Sequence, residues 1–247
     1  HEKSNMSGHS RWAQIKHKKA LTDAKKGKLF SKMAHLIAVA TKEKGADPAV
    51  NSKLRMVMEN AREAGMPKEN IERAISRGSG GASPETLEEV RYEAYGPGGA
   101  ALLIFGVTDN KNRTTSEIKH LLAEREGKLA AEGSVFWMFR KMGAVDFSKE
   151  AGREPGEEFA LALIDAGASD IQELPEGYTA YVNPESLEKF KEELGRRNIA
   201  FAKARLDYVP RDPIALTEGG RTKLVSLFET LDEHDDIQDI YTNVKDF

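Results

Sequence analysis

From Leu29 onward, apolar residues recur at spacings of three and four: Leu29, Phe30, Met33, Leu36, Ile37 and Ala40. That period predicts an amphipathic helix, and Gly45 is placed to end it. Asp47-Pro48 reads as the N-cap and first-turn proline of a second helix carrying Val50, Leu54, Val57, Met58 and Ala61, with Gly65 as its stop. Pro67 opens a third helix with Ile71, Ala74 and Ile75, closed by Gly78. Three short amphipathic helices make a small bundle, and Gly78-Ser79-Gly80-Gly81-Ala82-Ser83-Pro84 reads as a linker after it.

Past the linker the period becomes that of strands. Val90 to Tyr95 alternates, Gly96-Pro97-Gly98-Gly99 turns with Pro97-Gly98 suited to the centre of a type II turn, and Ala101 to Phe105 runs apolar. A helix is expected over about Thr115–Glu126, where Thr114 and Glu117 have capping-box spacing. One strand is expected within Gly133–Phe139 and a short one over Ala144–Phe147. Then come a helix (Glu157–Ala166), two strands (Ile171–Leu174, Tyr178–Val182), a helix (Pro184–Asn198) and a strand (Ala200–Tyr208), the split βαβ order. A last helix (Arg221–Leu231) and strand (Ile237–Val244) have no local partners, so they complete the first α/β unit. The predicted class is α+β: an N-terminal helical domain and two α/β domains, one inserted in the other. The expected domains are 1–80, a basic arm and helical bundle; 81–142 with 207–247, an α/β domain; and 143–206, an inserted ferredoxin-like domain.

Composition adds exclusions. The chain has 247 residues, 39% of them hydrophobic and 31% charged, which describes a globular protein. No apolar run approaches the roughly 20 residues of a membrane span, and no secretory signal core is visible. Cysteine is absent, which removes disulfides, thiolate metal sites and cysteine nucleophiles. A cytoplasmic protein without membrane contact is the default expectation. His1–Asn5 precede Met6-Ser7-Gly8, which reads as a natural start, and are set aside.

Charge changes the picture more. The net of −3 hides an asymmetry: residues 1–80 hold 17 Lys+Arg against 8 Asp+Glu, a net of +9, and the remainder holds 20 against 32, a net of −12. From Ser7 to Lys28 the only large apolar residues are Trp12, Ile15 and Leu21, so this segment is expected to be mobile or loosely helical when free. Its cations are Arg11, Lys16, Lys18, Lys19, Lys25, Lys26 and Lys28, and with Lys32 they form the candidate nucleic-acid contact. Lysines neutralise phosphates and release counterions. In a helix Lys18, Lys25 and Lys32 would share one face, although Gly27 argues against an unbroken one. Trp12 and His17 are placed to stack on exposed bases, which RNA offers more readily than duplex DNA. A solvated charge run is the plainer alternative.

At Gly8-His9-Ser10-Arg11-Trp12-Ala13-Gln14-Ile15-Lys16-His17-Lys18-Lys19 the chain resembles the YebC/PmpR family. The resemblance continues at Gly27-Lys28-Leu29-Phe30-Ser31-Lys32, Met66-Pro67, Asn70-Ile71-Glu72-Arg73-Ala74-Ile75, Tyr95-Gly96-Pro97-Gly98-Gly99, Thr108-Asp109-Asn110, Asn112-Arg113-Thr114, Gly133-Ser134-Val135 and Trp137-Met138-Phe139. It implies a cytosolic three-domain protein without enzymatic activity. It also implies either a DNA-binding transcriptional regulator or a translation factor acting on ribosomes stalled at proline-rich peptides, so DNA and ribosomal RNA are both expected partners. Glu126-Gly127-Lys128 departs from the family pattern, where a Gly-Gly or Gly-Asn turn is expected.

Other candidates are weaker. Lys53, Arg55, Arg62, Lys68, Arg73 and Arg77 are interleaved with Glu59, Glu63, Glu69 and Glu72, as on a salt-bridged surface. Arg113 stands where a strand meets a helix N-terminus, a possible secondary phosphate contact. Neither Gly27-Lys28 nor Gly78-Ser79-Gly80 completes a nucleotide-binding loop. His9, His17, His35, His120 and His234 lack metal-ligand spacing, and Asp232, Glu233, Asp235 and Asp236 lack that of a calcium loop. Ser10, His9 and Asp23 have nothing to fix them as a catalytic set. No cofactor is expected. A protein partner on the acidic domains is a third reading.

Overall fold

A computed structural model of the chain describes residues 23–80, 87–148, 157–174 and 177–245. Among the described residues three helices come first: α1 (Asp23–Lys44), α2 (Ser52–Glu63) and α3 (Lys68–Gly78). Strands β1 (Glu88–Tyr95) and β2 (Ala101–Thr108), helix α4 (Lys111–Glu124) and a short β3 (Lys128–Leu129) follow. Next are β4 (Phe139–Ser148), α5 (Glu157–Ala166), β5 (Asp170–Leu174), β6 (Gly177–Val182), α6 (Leu187–Arg196) and β7 (Lys203–Pro210). The last described elements are α7 (Glu218–Asp232) and β8 (Ile237–Thr242). Two compact units result. Arg140–Val209 forms one; the described residues up to Phe139, with those from Pro210 onward, form the other. The fold is α+β, and no described helix is long and apolar enough to cross a membrane.

In the larger unit the helical period does what it promised. Ile37 and Ala40 of α1 meet Leu54, Val57, Met58 and Ala61 of α2 and Ile71 and Ala74 of α3 in one apolar core. Gly78 ends α3 against α1 so closely that a Cβ there would lie 2.3 Å from the Ala38 carbonyl oxygen. Two boundaries differ from expectation. Helix α1 is already helical at Asp23, ahead of the expected Leu29, and runs through Gly27, so residues 23–28 are helical. The cap of α2 is Asn51, not Asp47: the Asn51 side chain accepts from the Leu54 N–H, while Asp47 folds back onto Ala49 N. Val50 consequently stands outside the core and is 77% exposed.

The sheet of this unit has the order β3-β1-β2-β8, with β1–β3, β1–β2 and β2–β8 antiparallel. Val90, Tyr92, Leu102, Ile104 and Ile240 face Ile118 and Leu122 of α4 and Leu224, Leu227, Phe228 and Leu231 of α7. A second small cluster, Ala38, Val39, Leu87 and Val107, joins α1 to β2. Between β1 and β2 the Gly99 N–H donates to Gly96 O (3.2 Å) with Gly98 at φ 67°, the type II turn that Pro97-Gly98 suggested.

Helix α4 starts four residues before its expected first residue, capped by Asn110, whose side chain accepts from Arg113 N–H at 3.1 Å. Thr114 is buried instead, bonded to Thr108 Oγ1 at 2.8 Å and to Asp236 at 2.6 Å. The expected strand over Gly133–Phe139 is a turn followed by a 3-10 turn, Phe136–Met138. The buried Glu93 carboxylate explains it by taking the N–H groups of Gly133, Val135 and Phe136, which are then lost to any ladder.

Helix α4 ends in a Schellman motif: Gly127 N–H reaches Leu122 O at 2.8 Å, and Glu126 sits at φ 59°, the left-handed position that glycine favours. The departure from the family pattern therefore falls where it strains the backbone. Glu126→Gly should raise stability by about 0.5–1 kcal/mol, partly offset by loss of the exposed Lys223–Glu126 pair. A higher urea midpoint at unchanged m-value is the expected result.

The smaller unit has the strand order β5-β6-β4-β7, the arrangement of a split βαβ fold. Leu163 of α5 and Leu187, Phe190 and Leu194 of α6 are buried, as are Val145, Phe147, Ala180 and Val182 of the sheet. The Phe147 and Phe159 rings meet edge to face at 5.5 Å. Asp146, Arg205 and Asp207 form a linked ion network, with Thr179 bonded to Asp146 at 2.7 Å.

Candidate nucleic-acid interface

Arg11, Trp12, Lys16, His17, Lys18 and Lys19 lie outside the described residues. Lys25 is on α1, its side chain outside the described set, and Lys26 on the same helix is exposed. Lys28 and Lys32, one turn apart, both reach the C-terminal end of α7. Lys28 Nζ donates to Glu233 O and lies 3.3 Å from the Glu233 carboxylate and 3.4 Å from that of Asp235. Lys32, 9% exposed, donates to Asp232 O at 3.0 Å and lies 3.6 Å from its carboxylate. The end of a helix presents unpaired carbonyls and negative potential, here reinforced by a cluster of acids, so cations are drawn to it. Two of the expected phosphate ligands thus hold α1 to α7.

The bundle's other cations are largely partnered within it. Lys53 lies between Glu43 (2.7 Å) and Glu89 (2.9 Å); burial alone would lower its pKa, but the two carboxylates raise it above the usual lysine value. Arg55 donates to Pro48 O at 2.7 Å, Lys68 pairs with Glu72 at 3.5 Å, and Arg73 bonds Asn70. Of the interleaved charges, Lys68 and Glu72 form an ion pair one turn apart, while Lys53 is paired by Glu43 and by Glu89 of β1.

Arg113 lies 2.9 Å from Asp109, 2.9 Å from Asp236 and 3.9 Å from Glu117. An incoming phosphate there would meet three carboxylates. Burial would raise the pKa of Asp236, but hydrogen bonds from Thr114, Arg113 and Thr108 hold it below the ordinary carboxylate value. Arg113 is raised in turn, chiefly by its bond to Asp236. These residues border an open cleft of about 570 Å³ between α4 and the α7–β8 turn.

In that cleft Glu117, His234 and Asp236 bring three ligand atoms within 4.8 Å of one another. Their bonding does not suit a cation. The Asp236 N–H donates to His234 Nδ1 at 3.1 Å, so Nε2 carries the proton and donates it to Glu117 at 2.8 Å. Arg113 already supplies the positive charge beside Asp236. The cluster is an internal ion and hydrogen-bond network.

Two features escaped the sequence. Glu93, 3% exposed, shapes the loop after β3 by accepting three backbone N–H bonds; burial alone would raise its pKa, but those bonds and the Arg91 charge hold it low. Trp137, at the centre of the following 3-10 turn, is 61% exposed. Its only forewarning was its place in the Trp137-Met138-Phe139 block.

Residues 10–81 match a family model described as the TACO1/YebC protein N-terminal domain, and residues 87–244 match one described as the TACO1/YebC second and third domain. Among similar proteins, a "Probable transcriptional regulatory protein" of Fervidobacterium nodosum is 44% identical over 238 residues, 96% of this chain and 93% of that one. One of the same description from Syntrophomonas wolfei is 42% identical over 241 residues, 97% of this chain and 96% of that one. The crystal structure of a conserved hypothetical protein from Aquifex aeolicus superposes with a TM-score of 0.86 at 41% identity, covering 95% of this chain and 96% of that one.

Proposed function

Because the chain belongs to the TACO1/YebC family, we propose that it is a nucleic-acid-binding regulator of gene expression whose basic N-terminal segment grips the phosphate backbone. The observation that carries this reading is the destination of the positive charge. Lys28, Lys32, Lys53 and Lys68 are committed to carboxylates or carbonyls of the chain itself. Met6–Thr22, by contrast, holds Arg11, Lys16, Lys18 and Lys19 without one Asp or Glu, and Lys25 and Lys26 extend that charge onto α1. The acidic remainder of the chain repels phosphate, so contact begins at this end.

The relatives' description as transcriptional regulatory proteins favours DNA as the polymer. RNA, free or in the ribosome, is the second reading, favoured by Trp12 and His17 among the lysines, since rings between cations are how unpaired bases are held. No reaction is assigned to the protein.

The test is a salt titration of binding to duplex DNA and to structured RNA. Lys16→Ala, Lys18→Ala and Lys19→Ala together remove three phosphate contacts, so the slope of log affinity against log salt should become shallower by roughly 2 to 3. An unchanged slope places the contact elsewhere. A marked preference for one duplex sequence supports the DNA reading; equal affinity for all duplexes with tighter binding to RNA supports the second.

A further inference from the structure

Trp137 is the largest side chain left in water among the described residues, at 61% exposure. It is not a loose one. Its indole N–H donates to Ser134 O at 3.0 Å, and the preceding residues Gly133, Val135 and Phe136 are tied by their N–H groups to the buried Glu93 carboxylate. With its single donor satisfied inside the loop, the indole offers only its ring faces to a ligand. Among the described residues no ring and no cation covers them. The neighbouring Phe136 differs, for Arg91 sits over its ring at 4.1 Å.

Arg211 is pinned to the same turn. Its backbone N–H donates to Met138 O at 2.8 Å and its Nε to Trp137 O at 3.1 Å. The side chain is exposed, and no described carboxylate pairs with it, so its Nη groups remain for an anion. A rigid bare indole beside an anchored guanidinium matches the chemistry of an unpaired nucleotide: a base to stack and a phosphate to pair. Stacked duplex bases do not offer such a face.

We propose that the Trp137 ring is a stacking platform for one unpaired base of a single-stranded nucleic acid, with Arg211 binding the adjoining phosphate. This rests on the nucleic-acid reading above and adds a second contact, one that discriminates single strands from duplex. The chain has two tryptophans, so Trp12→Phe leaves Trp137 as the sole indole reporter.

The experiment titrates the full-length wild-type protein, which is the parent for every affinity, and the W12F protein, which is used for its emission alone, with a fluorescein-labelled 12-residue oligouridylate, the matching oligodeoxythymidylate and a blunt duplex of equal length. Indole emission and label anisotropy are both followed. Trp137 emission should be quenched by the single strands as they bind. Trp137→Ala should weaken single-strand binding roughly 5- to 100-fold, Trp137→Phe should restore part of it, and duplex binding should change less than about twofold. Arg211→Ala should weaken binding and flatten its salt dependence. The two single strands separate RNA from DNA as the source of the base. Single-strand binding with unquenched emission and a W137A affinity within about twofold of the parent overturns the platform but leaves the nucleic-acid reading standing. Binding of duplex alone does the same. Failure of the parent to bind any of the three overturns both.

Discussion

Replacing Glu93 with alanine is expected to destabilise the protein by about 3–5 kcal/mol, the largest loss of any polar substitution considered. The carboxylate is 3% exposed and accepts N–H bonds from Gly133 at 2.8 Å, Val135 at 2.6 Å and Phe136 at 2.8 Å. Alanine strands these donors, and Val135 is itself fully buried. It also leaves Arg91, 3.7 Å away, without its buried counter-charge. Glu93→Gln keeps the shape but turns one acceptor into a donor facing other donors, so it should cost less than alanine yet remain clearly harmful. The pH dependence has a definite sign. Glu93 titrates below its ordinary 4.5 when folded, so its contribution is complete above about pH 4.5 and fades as pH falls through the lower folded value. The urea-measured gap between the parent and E93Q should therefore be widest near neutrality and narrow in acid. A gap under about 1 kcal/mol at neutral pH would show that the loop does not depend on this carboxylate.

What was legible in the chain was what depends on neighbours a few residues apart. The spacing of Leu54, Val57, Met58 and Ala61 produced α2, and the sheet-helix order from β4 to β7 produced the split βαβ unit. What was not legible depends on polar partners distant in sequence. Thr114 reads locally as a cap, but its hydroxyl is claimed by Asp236, 122 positions away. A strand was expected within Gly133–Phe139, but Glu93, some 40 positions earlier, takes the backbone donors there. The candidate site divides in the same way. The asymmetry of charge was visible by counting; that Lys28 and Lys32 are answered by Glu233 and Asp232 was not, since those pairs span about 200 residues. The acidic end of α7 supplies the counter-charge that Lys28 and Lys32 meet, so the proposed phosphate contact rests chiefly on Arg11 and Lys16–Lys19.

Asn51 carries the other large expected effect. It has no exposed surface, and its side chain makes three bonds: Oδ1 accepts from Leu54 N at 3.0 Å, and Nδ2 donates to Ala40 O and Gly45 O, each at 2.8 Å. The first caps α2; the other two fasten the end of α1 to it. Asn51→Ala should cost about 2–4 kcal/mol, roughly 1 for the cap and the rest for the Ala40 and Gly45 carbonyls that lose its amide donor, the former in a buried site. The order of substitutions separates these roles. Serine and aspartate are both good caps, so a residue that only capped would accept either. Serine keeps an acceptor for Leu54 N and loses the links to α1, so it should cost less than alanine. Aspartate keeps the same acceptor but sets a buried carboxylate against the Ala40 and Gly45 oxygens, so it should be the worst of the three. Urea midpoints ranking serine above alanine and alanine above aspartate would establish that Asn51 joins two helices. Aspartate performing as well as serine would reduce it to a cap, and the register of α1 on the bundle would then rest on apolar packing alone.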